Sequence, residues 1–146
     1  MFHFKLHDML DNNHLTKLLR ERKLKATNTR LKVLSEISSF NKAISFSEIQ
    51  IALHDFDRVT LYRTLNTLIE SGIIHKVLVD EKETFYAICT NSCSSECHNH
   101  RHIHFKCSSC KEITCVQTDN PINISIPGHS IENIEIEVTG VCASCN

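Results

Sequence analysis

Cys107-Ser108-Ser109-Cys110 is matched near the end of the chain by Cys142-Ala143-Ser144-Cys145. Two residues between paired thiols let one tight turn present both sulfurs to one ion. Two such pairs supply the four thiolates of a closed tetrahedral zinc site. Just before the first pair runs an alternation of imidazoles, His98, His100, His102 and His104. If this segment is a strand, its period of two puts all four on one face. Cys107, an odd number of positions on, then starts from the other face. Imidazoles and knuckle thiolates would therefore address different ions. Neutral imidazole suits Zn, Fe, Ni or Cu, so the histidines do not by themselves choose a metal. Cys89 and Cys115 add soft donors, and a His/Cys shell favours zinc over iron(II). Cys115 reads equally well as a small buried apolar residue. Cys93 and Cys97 are open between extra ligands, redox thiols and neither.

Other uses of these residues fit less well. A thioredoxin-like pair would explain one CxxC and not two. A catalytic zinc keeps an open coordination position beside a Glu or His base, and the deaminase pattern needs a proline before its CxxC. Lys106 and Val141 stand there instead, so an enzyme is not expected. Eight cysteines would suit a disulfide framework in a secreted protein. The N-terminal Met1–Asp8 lacks the apolar core of a signal peptide, and no apolar run approaches membrane length. A cytoplasmic chain with reduced thiols is expected, which turns the cysteines toward metal.

The elements that must position these donors are legible in part. With 41% hydrophobic residues, three Gly and two Pro, the 146-residue chain is globular, of one ordinary or two small domains. Leu15, Leu18 and Leu19 recur at helical spacing, as do Leu31, Leu34 and Ile37 within 29–40. Residues 23–28 read as a break carrying cap candidates. Ser45 or Ser47 can cap a short helix through Ile49, Ala52 and Leu53, and Ser45 with Glu48 has capping-box spacing. Asp57 or Thr60 opens a helix with Leu61, Leu65, Leu68 and Ile69 on one face, closing at Ser71-Gly72. Residues 73–79 and 84–89 look like paired strands. Helices followed by a β hairpin make a winged helix-turn-helix. Residues 90–100 read as a linker, and 101–106, 113–117 and 130–139 as further strands. The expected class is α+β, with a winged-helix domain over 1–89, a hinge over 90–100 and a metal-binding domain over 101–146.

Charge follows the same division. Residues 1–72 carry 11 Lys/Arg against 8 Asp/Glu, and residues 73–146 carry 5 against 9. A basic front half suits nucleic acid, although such an excess is also common on any solvated surface. Arg58, Thr60, Tyr62, Arg63, Thr64 and Thr67 are the polar and amphipathic residues of the second helix of the helix-turn-helix. Arginine can reach guanine edges or phosphates, and tyrosine can pack on thymine methyls. Lys17, Arg20, Arg22, Lys23 and Lys25 are candidates for sequence-independent phosphate contacts.

Taken in order, Arg30-Leu31-Lys32-Val33-Leu34, Ser47-Glu48-Ile49, Thr60-Leu61-Tyr62-Arg63-Thr64-Leu65-Asn66, Glu70-Ser71-Gly72-Ile73-Ile74, His102-x-His104-x-x-CxxC and Gly140-x-CxxC resemble the ferric uptake regulator family of metal-dependent repressors. The resemblance covers most of the chain. It implies an N-terminal winged helix, a C-terminal α/β dimerisation domain, a homodimer and binding to AT-rich inverted-repeat operator DNA; no membrane partner is expected, since no apolar run is long enough. Tyr62 and Arg63 match the family's DNA-contacting positions. Within the family the chain looks most like the zinc uptake regulator branch. His75 and Cys89 match the hinge ligands of zinc sensors, His102 and His104 match strand ligands, and His100 occupies a position used instead by some members. Lys42-Ala43, Ala87, Cys115 and Ile134 stand where iron or peroxide sensors commonly place histidines or carboxylates. The expectation is structural Zn²⁺ on Cys107, Cys110, Cys142 and Cys145. A regulatory ion, Zn²⁺ rather than Fe²⁺ or Mn²⁺, is expected on His75, Cys89, His102 and His104, with His100 and Cys115 as further candidates. Iron or peroxide sensing within the family, and a metal-buffering zinc ribbon that makes protein contacts, are the alternatives.

Overall fold

A computed structural model describes residues 11–39, 42–80, 82–89, 102–117, 120, 122–132, 134 and 136–146. Four helices and a three-stranded sheet make the N-terminal part: α1 (Asn12–Glu21), α2 (Asn28–Ser38), β1 (Ile44–Ser45), α3 (Phe46–Ala52), α4 (Arg58–Glu70), β2 (Ile74–Asp80) and β3 (Glu83–Ile88). Each helix starts where a short polar side chain meets an orphan N–H. Asp11, Thr27, Ser45 and Asp57 are the four N-caps, accepting from the backbone of His14, Arg30, Glu48 and Thr60. Ser45 and Glu48 close the full capping box. At Asp57 the Thr60 hydroxyl also donates to the carboxylate, at 2.7 Å, holding this carboxyl below its usual range. α4 ends as Gly72 takes φ 70°, a left-handed turn that glycine adopts without a Cβ penalty.

The apolar periodicity becomes one core. Leu15 and Leu19 of α1, Val33, Leu34 and Ile37 of α2, Ile49 of α3 and Leu61, Leu65 and Leu68 of α4 close over Ile44, Ile74 and Tyr86 of the sheet. The sheet runs β1-β3-β2, with His75 opposite Ala87 and Ile44 opposite Tyr86. The expected hairpin is thus joined by a third strand, β1, which local pattern did not reveal. Two residues carry no period, and only pairing with Phe85 and Tyr86 makes them a strand.

Loss of the α3 box should be measurable. Ser45→Ala is expected to cost about 1 kcal/mol, lowering the thermal midpoint of the metal-loaded protein by a few degrees. A melting curve that superimposes on the parent's would show that the box contributes nothing.

Later in the chain come β4 (His102–Cys107), β5 (Ile113–Gln117) and β6 (Glu137–Gly140), in the order β5-β4-β6. The linker expected over 90–100 lies outside the described residues. β5 is antiparallel to β4 with Cys115 opposite His104; β6 is parallel to it with Glu137 opposite His104. The strand expected over 130–139 is corrected here to its last part. Of the described residues in that range, 130–132, 134 and 136 have irregular backbone, and pairing with β4 begins at Glu137 opposite His104. Of the C-terminal α/β unit that the resemblance implies, the described residues hold the β part. The two sheets meet through Ala43, Val77, Ala87 and Ile113, with Phe85 and Cys115 packed alongside. Ala43 N–H donates to Ile113 O at 2.8 Å, and Lys42 Nζ reaches Glu112 at 3.1 Å. No described helix is long and apolar enough to cross a membrane.

Candidate metal centres and nucleic-acid interface

The sulfurs of Cys107, Cys110, Cys142 and Cys145 lie within 4.8 Å of one another. β4 delivers Cys107 at its end, the following turn delivers Cys110, and the turn after β6 delivers Cys142 and Cys145. The parallel ladder ends with Cys107 opposite Gly140, and Ser108 N–H donates to Gly140 O at 2.7 Å, so the two knuckles are held side by side. Cys107 is buried and its Sγ accepts from the N–H of Cys142 at 3.4 Å and of Cys110 at 3.5 Å. These donors, that of Cys142 first, pull its thiol down to about 6. Cys145 is pushed up to about 12, mainly by hydrogen bonding with Cys142 and then Cys110. A set of thiols that crowd each other this way needs a cation before all can ionise.

A second group is separate from the first. Ligand atoms of His75, His104 and Cys115 also lie within 4.8 Å of one another, all three residues half-buried. His75 comes from β2 of the wing; His104 and Cys115 form a cross-strand pair on β4 and β5. The Nε2 atoms of His75 and His104 are 3.1 Å apart, and Cys115 Sγ is 3.6 Å from His75 Nε2. The imidazole planes are 19° from parallel. Cys89 is near but on the other side of the ring. Its Sγ lies 3.4 Å from His75 Nδ1, as a diagonal neighbour across the β2–β3 ladder allows.

The donor sets can be tested against a tetrahedral zinc. Metal–sulfur bonds of about 2.3 Å and metal–nitrogen bonds of about 2.0–2.1 Å give edges of about 3.8 Å for S–S, ~3.6 Å for S–N and ~3.3 Å for N–N. Cys110 Sγ to Cys142 Sγ is 3.9 Å, and the hinge distances of 3.6 and 3.1 Å stand beside the other two. Both groups fit the ion in spacing and in donor chemistry.

Of the anticipated hinge donors, His75 and His104 are brought together. Cys115, open between core and ligand from sequence, joins them. Cys89 touches the nitrogen that points away from the group. His102 has its backbone in β4 opposite Gln117, and its side chain lies outside the described residues, as do His98, His100, Cys93 and Cys97 altogether.

All six anticipated nucleic-acid residues stand on α4. Arg58, Tyr62 and Arg63 are exposed, Tyr62 by 50%. Thr60, Thr64 and Thr67 are half-buried; the Thr64 and Thr67 hydroxyls donate to the carbonyls of Thr60 and Arg63. Their lone pairs stay available, but their protons are spent within the helix. Sequence reasoning passed over Val59, 58% exposed beside these residues. An apolar side chain so placed is a candidate for thymine methyls. It also passed over the Ala43–Ile113 and Lys42–Glu112 link between the lobes, which no spacing within the chain announces.

Known proteins bear on this arrangement. The model of the ferric uptake regulator family matches residues 21–139. The ferric uptake regulation protein of Staphylococcus aureus is 31% identical over 144 residues, covering 93% of this chain and 98% of its own length. Among solved structures, holo XcZur superimposes with a TM-score of 0.66 at 21% identity, over 92% of this chain and 97% of its own. A zinc uptake regulator complexed with zinc and DNA superimposes at 0.64 and 23% identity, over 92% and 91%. These two likenesses establish the shared α+β fold. Family match and curated relative together go further: this chain belongs to the ferric uptake regulator family, and is a metal-responsive transcriptional regulator and not an enzyme.

Proposed function

We propose that the chain is a zinc-sensing repressor of metal-uptake genes. In this reading it acts in the cytoplasm as a homodimer and binds AT-rich inverted-repeat operator DNA when its hinge site is loaded. The observation that carries the reading is the convergence of His75 from the wing with His104 and Cys115 from the C-terminal sheet. Zinc bound there supplies a redox-silent tetrahedral anchor. A winged-helix domain over 1–89 and a dimerisation domain over 101–146, hinged at 90–100, are the bodies these residues would hold together.

His75 ties the site to the wing and hence to α4. His104 and Cys115 tie it to the sheet whose other end carries the four-cysteine group. Cys89 steadies the His75 ring from its Nδ1 side, the usual service of a neighbour to a metal-binding imidazole. His102 is kept as a fourth donor on the period of its strand alone. In a dimer the relative orientation of wing and sheet sets the spacing of two α4 helices against successive major grooves, about 34–36 Å apart. Selectivity follows from the donors. Two imidazoles and a thiolate, with Ala87 opposite His75 in place of a carboxylate, suit zinc better than Fe²⁺ or Mn²⁺.

The test is a titration of the full chain with Zn²⁺, Fe²⁺ and Mn²⁺, read by anisotropy of a labelled duplex selected from a random pool. Zinc should drive binding at the lowest free concentration. Binding driven first by Fe²⁺ would place the chain with the iron sensors. No metal dependence at all, with zinc nonetheless bound, would favour a buffering zinc ribbon. For the reading helix, Arg63→Ala should weaken binding to the selected duplex by ~1–3 kcal/mol with zinc content unchanged. A variant that binds as the parent does would remove Arg63 from the interface.

A further inference from the structure

Phe46 lies at the first position of α3, 9% exposed, and two residues of α4 meet its ring. The guanidinium carbon of Arg58 stands 5.3 Å from the ring centroid, within the range of a cation–π contact. The Tyr62 ring sits edge-on to it, with centroids 6.3 Å apart and planes 76° from parallel. Phe46 itself has little freedom. The residue before it is the Ser45 cap, locked reciprocally with Glu48. The residue after it, Ser47, donates both its N–H and its hydroxyl to the Glu83 carboxylate at the start of β3, at 2.9–3.1 Å. Its ring belongs to the main apolar core.

From this geometry we infer that Phe46 is a positioning residue for DNA reading: its ring holds Arg58 and Tyr62 in their reading rotamers before DNA arrives. The inference rests on α4 being the helix that meets the operator. Its physical content is entropic. Long side chains ordered at an interface lose rotamer freedom on binding, and a side chain already ordered loses less. Arg58 and Tyr62 are one turn apart on the exposed side of α4, so one aromatic platform serves both. Glu83 extends the device to the wing, since the strand that forms the wing also clamps the turn carrying the platform.

The experiment uses the full-length zinc-loaded protein and two duplexes, one selected from a random pool with the parent protein and one scrambled. Phe46→Leu, which keeps apolar volume and loses the aromatic face, should lower discrimination between them about tenfold. Phe46→Trp, which keeps a face, should restore it to within about threefold, because tryptophan is the best cation–π partner. Phe46→Leu should add little to Arg58→Ala. A merely structural role would shift the melting point and weaken both duplexes alike, and that pattern overturns the proposal. If Arg58→Ala and Tyr62→Ala themselves leave binding unaltered, the reading of α4 has failed. If they weaken it and Phe46→Leu does not, Phe46 has. Independently of any variant, Phe46–Tyr62 ring cross-peaks must be present in the NMR spectrum of the DNA-free parent. Cross-peaks that appear only with DNA also overturn it.

Discussion

Replacing Cys142 with serine is expected to remove one zinc per chain and unravel the sheet that carries it. Among the described residues of this lobe, only Cys107 and Ile113 are buried, and Ile113 packs mainly against Ala43, Val77 and Ala87 of the other lobe. Val116, Val138 and Val141 remain exposed. Within one chain the described strands remove little apolar surface from water to offset the entropy of ordering them. The four-thiolate site therefore carries much of the order of this sheet. Such sites bind zinc with apparent free energies of about 10–16 kcal/mol, as large as the whole stability of a small domain at about 5–15 kcal/mol. Cys142 is also the residue whose N–H holds Cys107, so the variant loses a ligand in the turn that stabilises another. Metal analysis and amide exchange of β4–β6 should both report the loss, while the helices of the other lobe stay protected. A serine variant with its full complement of zinc and protected strands would show that the knuckles are ornamental.

The second large effect belongs to the hinge. His75→Ala is expected to keep the knuckle zinc yet lose metal-dependent DNA binding, by roughly 5–150-fold for a coupling of ~1–3 kcal/mol. Only His75 among the three donors comes from the wing, so its loss cuts the connection rather than merely weakening the site. Cys115→Ser should act in the same direction, and Cys115→Asp should shift preference toward harder ions such as Fe²⁺ and Mn²⁺. Cys89→Ser tests a different role. As a partner that orients the ring it should lower zinc affinity at the hinge by about 10–100-fold. An unchanged zinc requirement in His75→Ala would sever the hinge from the response. An unchanged one in Cys89→Ser would leave the hinge intact and excuse only Cys89. Between the lobes, Lys42–Glu112 and Ala43–Ile113 are contacts that need no ion. Residual metal-independent binding in His75→Ala is where they would be seen.

How legible all this was depends on distance along the chain. Helix ends were readable because their causes are local. Ser45 and Glu48 sit three residues apart and satisfy each other's backbone, Asp57 reaches Thr60, and Gly72 turns left-handed, a conformation glycine adopts without a Cβ penalty. The CxxC pairs were readable because two-residue spacing is itself the geometry of a knuckle. β1 was not, since Ile44 and Ser45 become a strand only on meeting residues some forty positions later. The start of β6 was misjudged for a related reason: alternation says a segment can be a strand, and only pairing, which begins at Glu137 opposite His104, says where it is one.

The hinge divides the same way. Residue types and order, with the family pattern they resemble, were enough to nominate His75 and His104 as donors and to expect zinc. Which sulfur completes their group was decided in three dimensions, because Cys115 faces His104 only through the β4–β5 register and His75 only through the packing of one sheet on the other. Side-chain chemistry travels with the sequence, whereas convergence on a point is a property of packed elements. No short-range rule carries it.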